Sequence, residues 1–388
     1  MVKPVRRKPH VAVVGAGVFG GWTALHLLEI GARVTLVDAW GPGNSRASSG
    51  GETRVMRGTY GPDQPYTEMA ARALKLWASY ERRWKRRFLH RTGVLWMAAK
   101  GDDSFERGSI DSLRRARIRH EELSPSQMKA RWPQINFANV VWGIHEPDCG
   151  YLDARASCQA VVDAFVEEGG KYVQSAVLPE GLESPPLRDL VLSDGARLKA
   201  DHYVFACGPW LGTMFPEAIG KLVSPTKQDV FLFGPPAGDN RFDSRHLPVW
   251  GDHVDRFLYG IPGDGRRGFK VADDTRGPTF DPTTGERLPT PEVLQAAREY
   301  LAFRFPGLKG APLVEARVCQ YENSPDEHFI IDRHPAATNV WLVGGGSGHG
   351  FKHGPAVGEL VAKLVLTGEA APPEFRLSRF DAGVRPGG

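Results

Sequence analysis

Cysteine is scarce in this chain, and the little there is forms no framework. The four cysteines, Cys149, Cys158, Cys207 and Cys319, show no C-x-x-C spacing. That argues against a disulfide scaffold and against a zinc site, and it fits a reducing compartment. No metal is expected. Charge of one sign is equally scarce: 49 Lys and Arg against 45 Asp and Glu leave a formal net charge of +4. This mildly basic balance suits an acidic small molecule or a neutral enzyme better than a dedicated nucleic-acid binder. Internal repeats and low-complexity tracts are absent, and outside residues 11–28 no run is long and apolar enough to span a bilayer. That run follows Lys3, Arg6, Arg7 and Lys8, the outline of an export signal. No small-residue cleavage site follows it, however, and cleavage near Leu28 would remove the best phosphate loop in the chain. The terminal Arg385-Pro-Gly-Gly carries no peroxisomal address, so a cytoplasmic location is expected.

The remaining composition, 41% hydrophobic, 10% aromatic and 24% charged over 388 residues, describes a globular chain long enough for two domains. Its first strong pattern is Val11-Ala-Val-Val-Gly15-Ala-Gly17-Val-Phe19-Gly20, an apolar strand running into G-x-G-x-x-G, with helical spacing from Trp22 to Ile30. A second strand, residues 33–37, ends in Asp38. In that βαβ order a helix amino terminus and bare amides face a pyrophosphate, and Asp38 is placed to accept from a ribose hydroxyl. A dinucleotide is the expected ligand.

Residues 44–57 form a polar loop rich in small hydroxyls, Ser48 among them. Such a loop can wrap a diphosphate and deliver the cations Arg54 and Arg57 to a ring or a carboxylate. Residues 65–86 read as a helix with an apolar stripe of Met69, Leu74, Trp77, Tyr80 and Trp84. The basic clusters at 82–87 and 114–119 read as solvated helical faces. Residues 92–97 are strand-like, a helix follows to about 119, and 150–168 is helical again. A buried strand at 201–208 ends in a glycine turn, with Cys207 as a small core hydrophobe. Short strands at 229–233, 256–260 and 268–271, parted by Gly/Pro loops, argue an antiparallel sheet and a second domain. Thr290-Pro291 caps a helix to about Phe303.

The densest chemistry lies in residues 317–352. Cys319 sits in an apolar strand, and Asp326-Glu-His328-Phe-Ile-Ile-Asp332 is a polar turn. Val343-Gly-Gly-Gly346-Ser-Gly348-His349-Gly350-Phe-Lys352 is a buried strand opening onto bare backbone, where something flat and anionic is expected. Cys319-x-Tyr321, the 326–332 turn and Gly348-His-Gly-Phe-Lys352 closely resemble monomeric sarcosine oxidase and its relatives. Those are the N-methyltryptophan, pipecolate and fructosyl-amino-acid oxidases of the D-amino-acid-oxidase-like flavoproteins. The resemblance runs from about Val11 to the last helix. An NAD(P)-dependent reductase would account for Gly15, Gly17, Gly20 and Asp38 but leaves the Cys319 and Gly348 motifs without purpose. A non-catalytic flavin-binding subunit stays open.

The resemblance implies an α/β fold in which a discontinuous, Rossmann-type FAD-binding domain (1–90, 145–222 and 323–388) meets a second, α+β substrate domain (91–144 and 223–322). The latter is built on a mixed, largely antiparallel sheet. It implies FAD held by Gly15, Gly17, Phe19, Gly20, Asp38 and Ser48, by Arg54 against the flavin, and by Gly346, Gly348, His349, Gly350 and Lys352, with Cys319 as a thioether attachment. Arg57 and Lys352 would clamp a substrate carboxylate, and Lys270 would promote reaction with oxygen. Tyr259 and Tyr321 match pocket tyrosines, and Trp250 falls where a smaller, flexible side chain is usual. Two departures stand out. Ser49 and Gly50 replace histidines, and Asp274 stands where sarcosine oxidase has an active-site histidine. A carboxylate at 274 could hold a second amine, a hydroxyl or a ring nitrogen, and it tells against sarcosine as the best substrate. His328 and His349 read as backbone-binding groups, not general bases, because an amine can react once neutral without one. The implied reaction oxidises the C–N bond of a secondary or N-substituted amino acid to an imine while oxygen becomes peroxide. A cyclic imino acid, a fructosyl-amino acid or a dehydrogenase using a carrier are the alternatives. The expected partners are a small amino-acid-like amine and molecular oxygen, without nucleic acid or membrane, in a monomer or small homo-oligomer.

Overall fold

The computed structural model describes residues 7–182, 185–253, 256–263 and 267–381. Lys3, Arg6 and the Arg385 tail lie outside the described residues. Apolar runs without polar alternation make strands covered on both faces, the habit of a parallel sheet. Six strands lie in the order Ile330–Arg333, Val340–Gly344, His202–Phe205, His10–Val14, Arg33–Asp38, Lys171–Gln174. Five are parallel, and Ile330–Arg333 runs antiparallel at one edge. Val11 and Val13 point into a core shared with the helices Val18–Glu29, Ala154–Glu167 and Gly354–Thr367. Ala12 and Val14 point into the opposite core with Leu211 and Phe215, as the two-residue period requires.

The first helix begins at Val18, a turn earlier than the spacing from Trp22 suggests, because the chain reverses within the glycine loop. Gly15 has φ +102°, and a Cβ built on it would lie 2.3 Å from Ala206 O; one on Gly20 would lie 1.8 Å from Gly15 O. No side chain fits at either position. The helix Gln64–Trp84 follows the polar loop. Its Trp77 and Tyr80 pack on Trp22 with ring centroids 5.2 and 4.7 Å apart.

A second sheet holds eight strands in the order Leu313–Asn323, Ser224–Phe233, Phe269–Asp273, Leu258–Ile261, Val249–Asp252, Val94–Ala99, Val140–Glu146, Glu121–Leu123. Every pairing is antiparallel except Val249–Asp252 beside Val94–Ala99. The helix Pro291–Arg304 packs on it through Ala297 and Leu301. Thr290 precedes that helix but its hydroxyl does not cap it; the hydroxyl accepts from Lys227 Nζ at 3.0 Å instead. Two further expectations need correction. Residues 150–153 are not helical: Gly150–Asp153 is a strand paired with Thr53–Met56 and Leu89–His90, and the helix starts at Ala154. The helix expected to reach about 119 is Ser104–Ala116, stopped by Arg117 in the left-handed region at φ 58°.

Leu313–Asn323 belongs to the eight-stranded sheet and Ile330–Arg333 to the six-stranded one. The chain therefore crosses from one sheet to the other just after Cys319 and Tyr321.

Candidate active site

Two cavities meet at this crossing. The larger runs from Gly17, Phe19 and Asp38 past Cys207 to Cys319, Gly346 and Gly350. The smaller is bordered by Arg57, Trp250, Tyr259, Asp274, His349 and Lys352. Arg54, Gly348 and Phe351 line both and form the shared wall.

At the first end, strand, glycine loop and helix present free backbone. Val18 N donates to Ser49 Oγ at 3.1 Å. Asp38 accepts from Ala16 N at 2.7 Å through Oδ2, and from Trp40 N and Gly41 N at 2.9 and 2.7 Å through Oδ1. A carboxylate has about four acceptor positions, so Asp38 keeps capacity for a hydroxyl in the cavity while it ties the loop to the second strand. Gly20 does not border the cavity; its place is against Gly15. Cys207 packs against the core of Phe205 and Leu211 and, half-buried, also lines the cavity, with its thiol pushed up by burial.

The shared wall is built on the short strand Thr53–Met56. Arg54 donates to Thr53 O at 2.8 Å and to Ser48 O at 2.5 Å, and its Nη2 lies 3.5 Å from Cys319 Sγ. Lys270, 6% exposed, borders neither cavity: its Nζ donates to the same Thr53 carbonyl at 3.2 Å, 5.5 Å from the Tyr259 ring centroid. Burial, and then the neighbouring Arg54, hold the Lys270 ammonium down to about 7. Antiparallel register places these groups: Lys270 pairs with Leu232, and Cys319 pairs with Gln228 on the other side of the same strand.

In the smaller cavity Arg57 lies 4.1 Å from the Tyr60 ring and 4.7 Å from Trp96, and it donates to Thr59 O. Lys352, 4% exposed, donates to Tyr60 Oη and to His349 O, each at 2.7 Å. Burial and the Arg57 charge hold its ammonium well below the usual lysine range. Asp274 Oδ1 accepts from Tyr321 Oη at 2.6 Å, and burial raises its carboxyl above the usual carboxylate range. Gly348 has φ +80°, and a Cβ there would sit 2.5 Å from Tyr321 Cε2, so the tyrosine lies directly on the backbone. Trp250 is fully buried, stacked on Tyr300 and Phe269 at 5.4 and 6.2 Å. It fills the wall with core. His349 bonds Tyr60 Oη through Nδ1 at 3.2 Å and Glu327 O through Nε2 at 3.1 Å. Both ring nitrogens are thus engaged, and His328 Nδ1 faces Tyr66 Oη at 3.3 Å.

Three residues went unread in the sequence. Tyr60 joins Lys352, His349 and His353. Glu146, fully buried, accepts from Gly58 N at 2.6 Å, Thr59 N at 3.2 Å and Thr59 Oγ1 at 2.6 Å, and so fixes the turn after Arg57. Glu322 lines the larger cavity. Only Glu322 left a signal, an acid next to Tyr321.

Residues 10–364 match the family of FAD dependent oxidoreductases. The chain belongs to that family. It is 31% identical over 366 residues to monomeric sarcosine oxidase of Bacillus sp. (strain NS-129), covering 92% of this chain and 93% of that one. It is 30% identical over 379 residues to human peroxisomal sarcosine oxidase, covering 95% of each. Among solved structures, L-proline dehydrogenase from P. horikoshii superposes with a TM-score of 0.84 at 22% identity, over 97% of this chain and 98% of the other, a likeness of fold.

FAD fits the residues present. The Gly15 cradle, the remaining acceptor capacity of Asp38 and the bare Gly346–Gly350 backbone follow one elongated cavity. Among the described residues no helix is long and apolar enough to cross a membrane, and no cluster of His, Cys, Asp or Glu could hold a metal ion.

Proposed function

We propose that this chain oxidises the C–N bond of a secondary or N-substituted amino acid to an imine, which water hydrolyses, with two electrons and two protons passing to oxygen as hydrogen peroxide. The observation that carries this reading is the shared wall: a dinucleotide cavity and a cation-lined pocket abut at Arg54, Gly348 and Phe351. Bound FAD would supply the hydride acceptor. In this reading residues 1–90, 145–222 and 323–388 hold the cofactor, and 91–144 and 223–322 supply the substrate side.

Arg57 and Lys352 bind the substrate carboxylate by charge-assisted hydrogen bonds and set the position of the reacting carbon. The aromatic faces of Tyr60 and Trp96 keep the Arg57 guanidinium in place. Burial, and then Arg57, lower the Lys352 ammonium, and an arriving carboxylate favours its charged form. Tyr259 and Tyr321 shape the pocket, and Asp274 takes a polar group on the far arm of the substrate. That carboxyl favours an amine carrying a second donor, such as a fructosyl-amino acid or a cyclic imino acid, over sarcosine. Lys270 acts on the oxygen step, its charge lowering the cost of the superoxide-like species. Cys319, beside Arg54, carries the cofactor covalently. The unpaired thiols support a cytoplasmic setting.

The test is anaerobic bleaching of the visible flavin band by sarcosine, proline, pipecolate, N-methyl amino acids and fructosyl-glycine. Rapid bleaching by one of them is expected. A band that dithionite bleaches but no amine does would leave the fold intact and overturn the substrate class. Slow peroxide formation in air after fast bleaching would replace oxygen by a carrier.

A further inference from the structure

Glu322 is a buried acid that none of the roles above uses. It lies on Leu313–Asn323, 8% exposed, one residue past Tyr321 and hence on the opposite face of the strand. Its Oε1 accepts from Gly346 N at 3.3 Å, while Oε2 has no hydrogen-bond partner in the protein. The side chain lines the larger cavity. Glycine surrounds the free oxygen: a Cβ built on Gly344 would lie 3.4 Å from Oε2, and one on Gly208 3.7 Å away. Burial raises the Glu322 carboxyl to about 7, against the pull of the Gly346 amide. Below neutral pH the group therefore keeps a proton and can donate as well as accept. Leaving such an atom unpaired costs the desolvation of a polar group, which a partner in the cavity would offset.

Position along the cavity selects the partner. The glycine loop and the amino end of Val18–Glu29 suit phosphates, and a Cβ on Gly15 would touch Ala206 O, so the Gly208 turn lies just beyond that end. The opposite end carries Arg54 and Cys319. Glu322 stands between them, where a carboxyl is a poor neighbour for a phosphate and has nothing to offer an aromatic face. The alcohol chain that joins ring to diphosphate both donates and accepts. We propose that Glu322 Oε2 binds FAD directly through a hydrogen bond to a hydroxyl of the ribityl chain. The proposal rests on the reading that the ring lies at the Cys319 end.

The test uses Glu322→Leu, Glu322→Val and Glu322→Gln in the Cys319→Ser protein, from which FAD can dissociate, with release followed by the fluorescence of freed FAD. Leu and Val, which can neither donate nor accept, are expected to release FAD roughly tenfold faster than the Cys319→Ser parent, and Gln, which does both, within about threefold of it. Val keeps the test alive should Leu not fold. Release from Val or Leu at the parent's rate overturns the proposal, as does Gln releasing as fast as Leu. If acid precipitation shows flavin still attached in Cys319→Ser, the attachment reading fails by itself. Glu322 is then judged by flavin per chain, from the ratio of visible to ultraviolet absorbance. A deficit in Val that Gln restores supports the contact; equal flavin content overturns it.

Discussion

Replacing Tyr60 by phenylalanine removes one oxygen and, with it, the junction that joins Lys352, His349 and His353 beside the smaller cavity. Tyr60 Oη accepts from Lys352 Nζ at 2.7 Å and meets His353 Nε2 at 2.8 Å and His349 Nδ1 at 3.2 Å. The ring contacts survive the change: Tyr66 at 5.3 Å and the Arg57 guanidinium at 4.1 Å both face the ring. Lys352 and His353 are 4% and 0% exposed, so water cannot replace the lost partner. Lys352 keeps only the His349 carbonyl, and His353, whose Nδ1 already lacks a partner, keeps none. Two orphaned buried groups at about 1–3 kcal/mol each give a destabilisation of roughly 2–6 kcal/mol, which over 388 residues is a fall in Tm of roughly 2–7 °C. Catalysis should change in a different way. A Lys352 held by one bond binds a carboxylate less well by about 1.4 kcal/mol, which raises KM about tenfold and leaves kcat within about threefold. Steady-state kinetics on Tyr60→Phe, Lys352→Met and the double variant separate the effects. If Tyr60 acts through Lys352, its KM penalty vanishes once Lys352 is gone. A KM within about twofold of wild type for Tyr60→Phe, or a penalty undiminished in the Lys352→Met background, would refute the reasoning.

Other expectations follow from single groups. In Cys319→Ser the protein should purify yellow but lose its flavin on acid precipitation, while wild type keeps it; a wild type that also loses its colour removes the attachment role. Lys270→Met should slow reoxidation by oxygen about a hundredfold or more and change reduction by the amine less than tenfold. Because burial and Arg54 hold the Lys270 ammonium down to about 7, its charge disappears as pH rises through that value. Wild-type reoxidation should therefore fall above neutrality and the Met variant's should stay flat; a level wild-type profile from about pH 6 to 9 refutes this. Asp274→Asn should reorder the substrate panel by tenfold or more between amines with and without a second polar arm. Unchanged ranking would make Asp274 only a partner for Tyr321. Finally, small unreactive carboxylates should raise Tm, by about 2.7 kcal/mol of stability at a hundred times their Kd. Equal shifts from the corresponding amides would count against Arg57 and Lys352 as a carboxylate clamp.

What could be read from the sequence was what sequence neighbours build together. The phosphate loop was legible because Gly15, Gly17, Gly20 and Asp38 lie within one βαβ unit, and the C-terminal junction because its glycines are contiguous. Gly150–Asp153 was misread as helix because its strand character comes from Thr53–Met56 and Leu89–His90, which lie far away in the chain. Tyr60 gave no sign, since its bond to Lys352 spans 292 residues. That Cys207 packs on the core was legible in its apolar run, whereas its second place, on the cavity wall, depends on the turn after the strand His202–Phe205.

The same distinction explains how the pocket holds its charge. Arg54, Arg57 and Lys352 line it and Lys270 shares a carbonyl with Arg54, yet each rests on backbone carbonyls: Ser48 O and Thr53 O, Thr59 O, Thr53 O again, and His349 O. Among the described residues none of the four forms an ion pair. A carbonyl fixes a cation's position without cancelling its charge, whereas a carboxylate would do both. Three of these carbonyls, Ser48 O, Thr53 O and Thr59 O, come from the loop and the short strand Thr53–Met56 that carry Arg54 and Arg57. The unneutralised charge costs stability while the pocket is without an anion, and burial records that cost in the lowered ammoniums of Lys270 and Lys352. It would be recovered when a negative group arrives, so under the proposed function the same arrangement would select a substrate carboxylate and an anionic reduced ring.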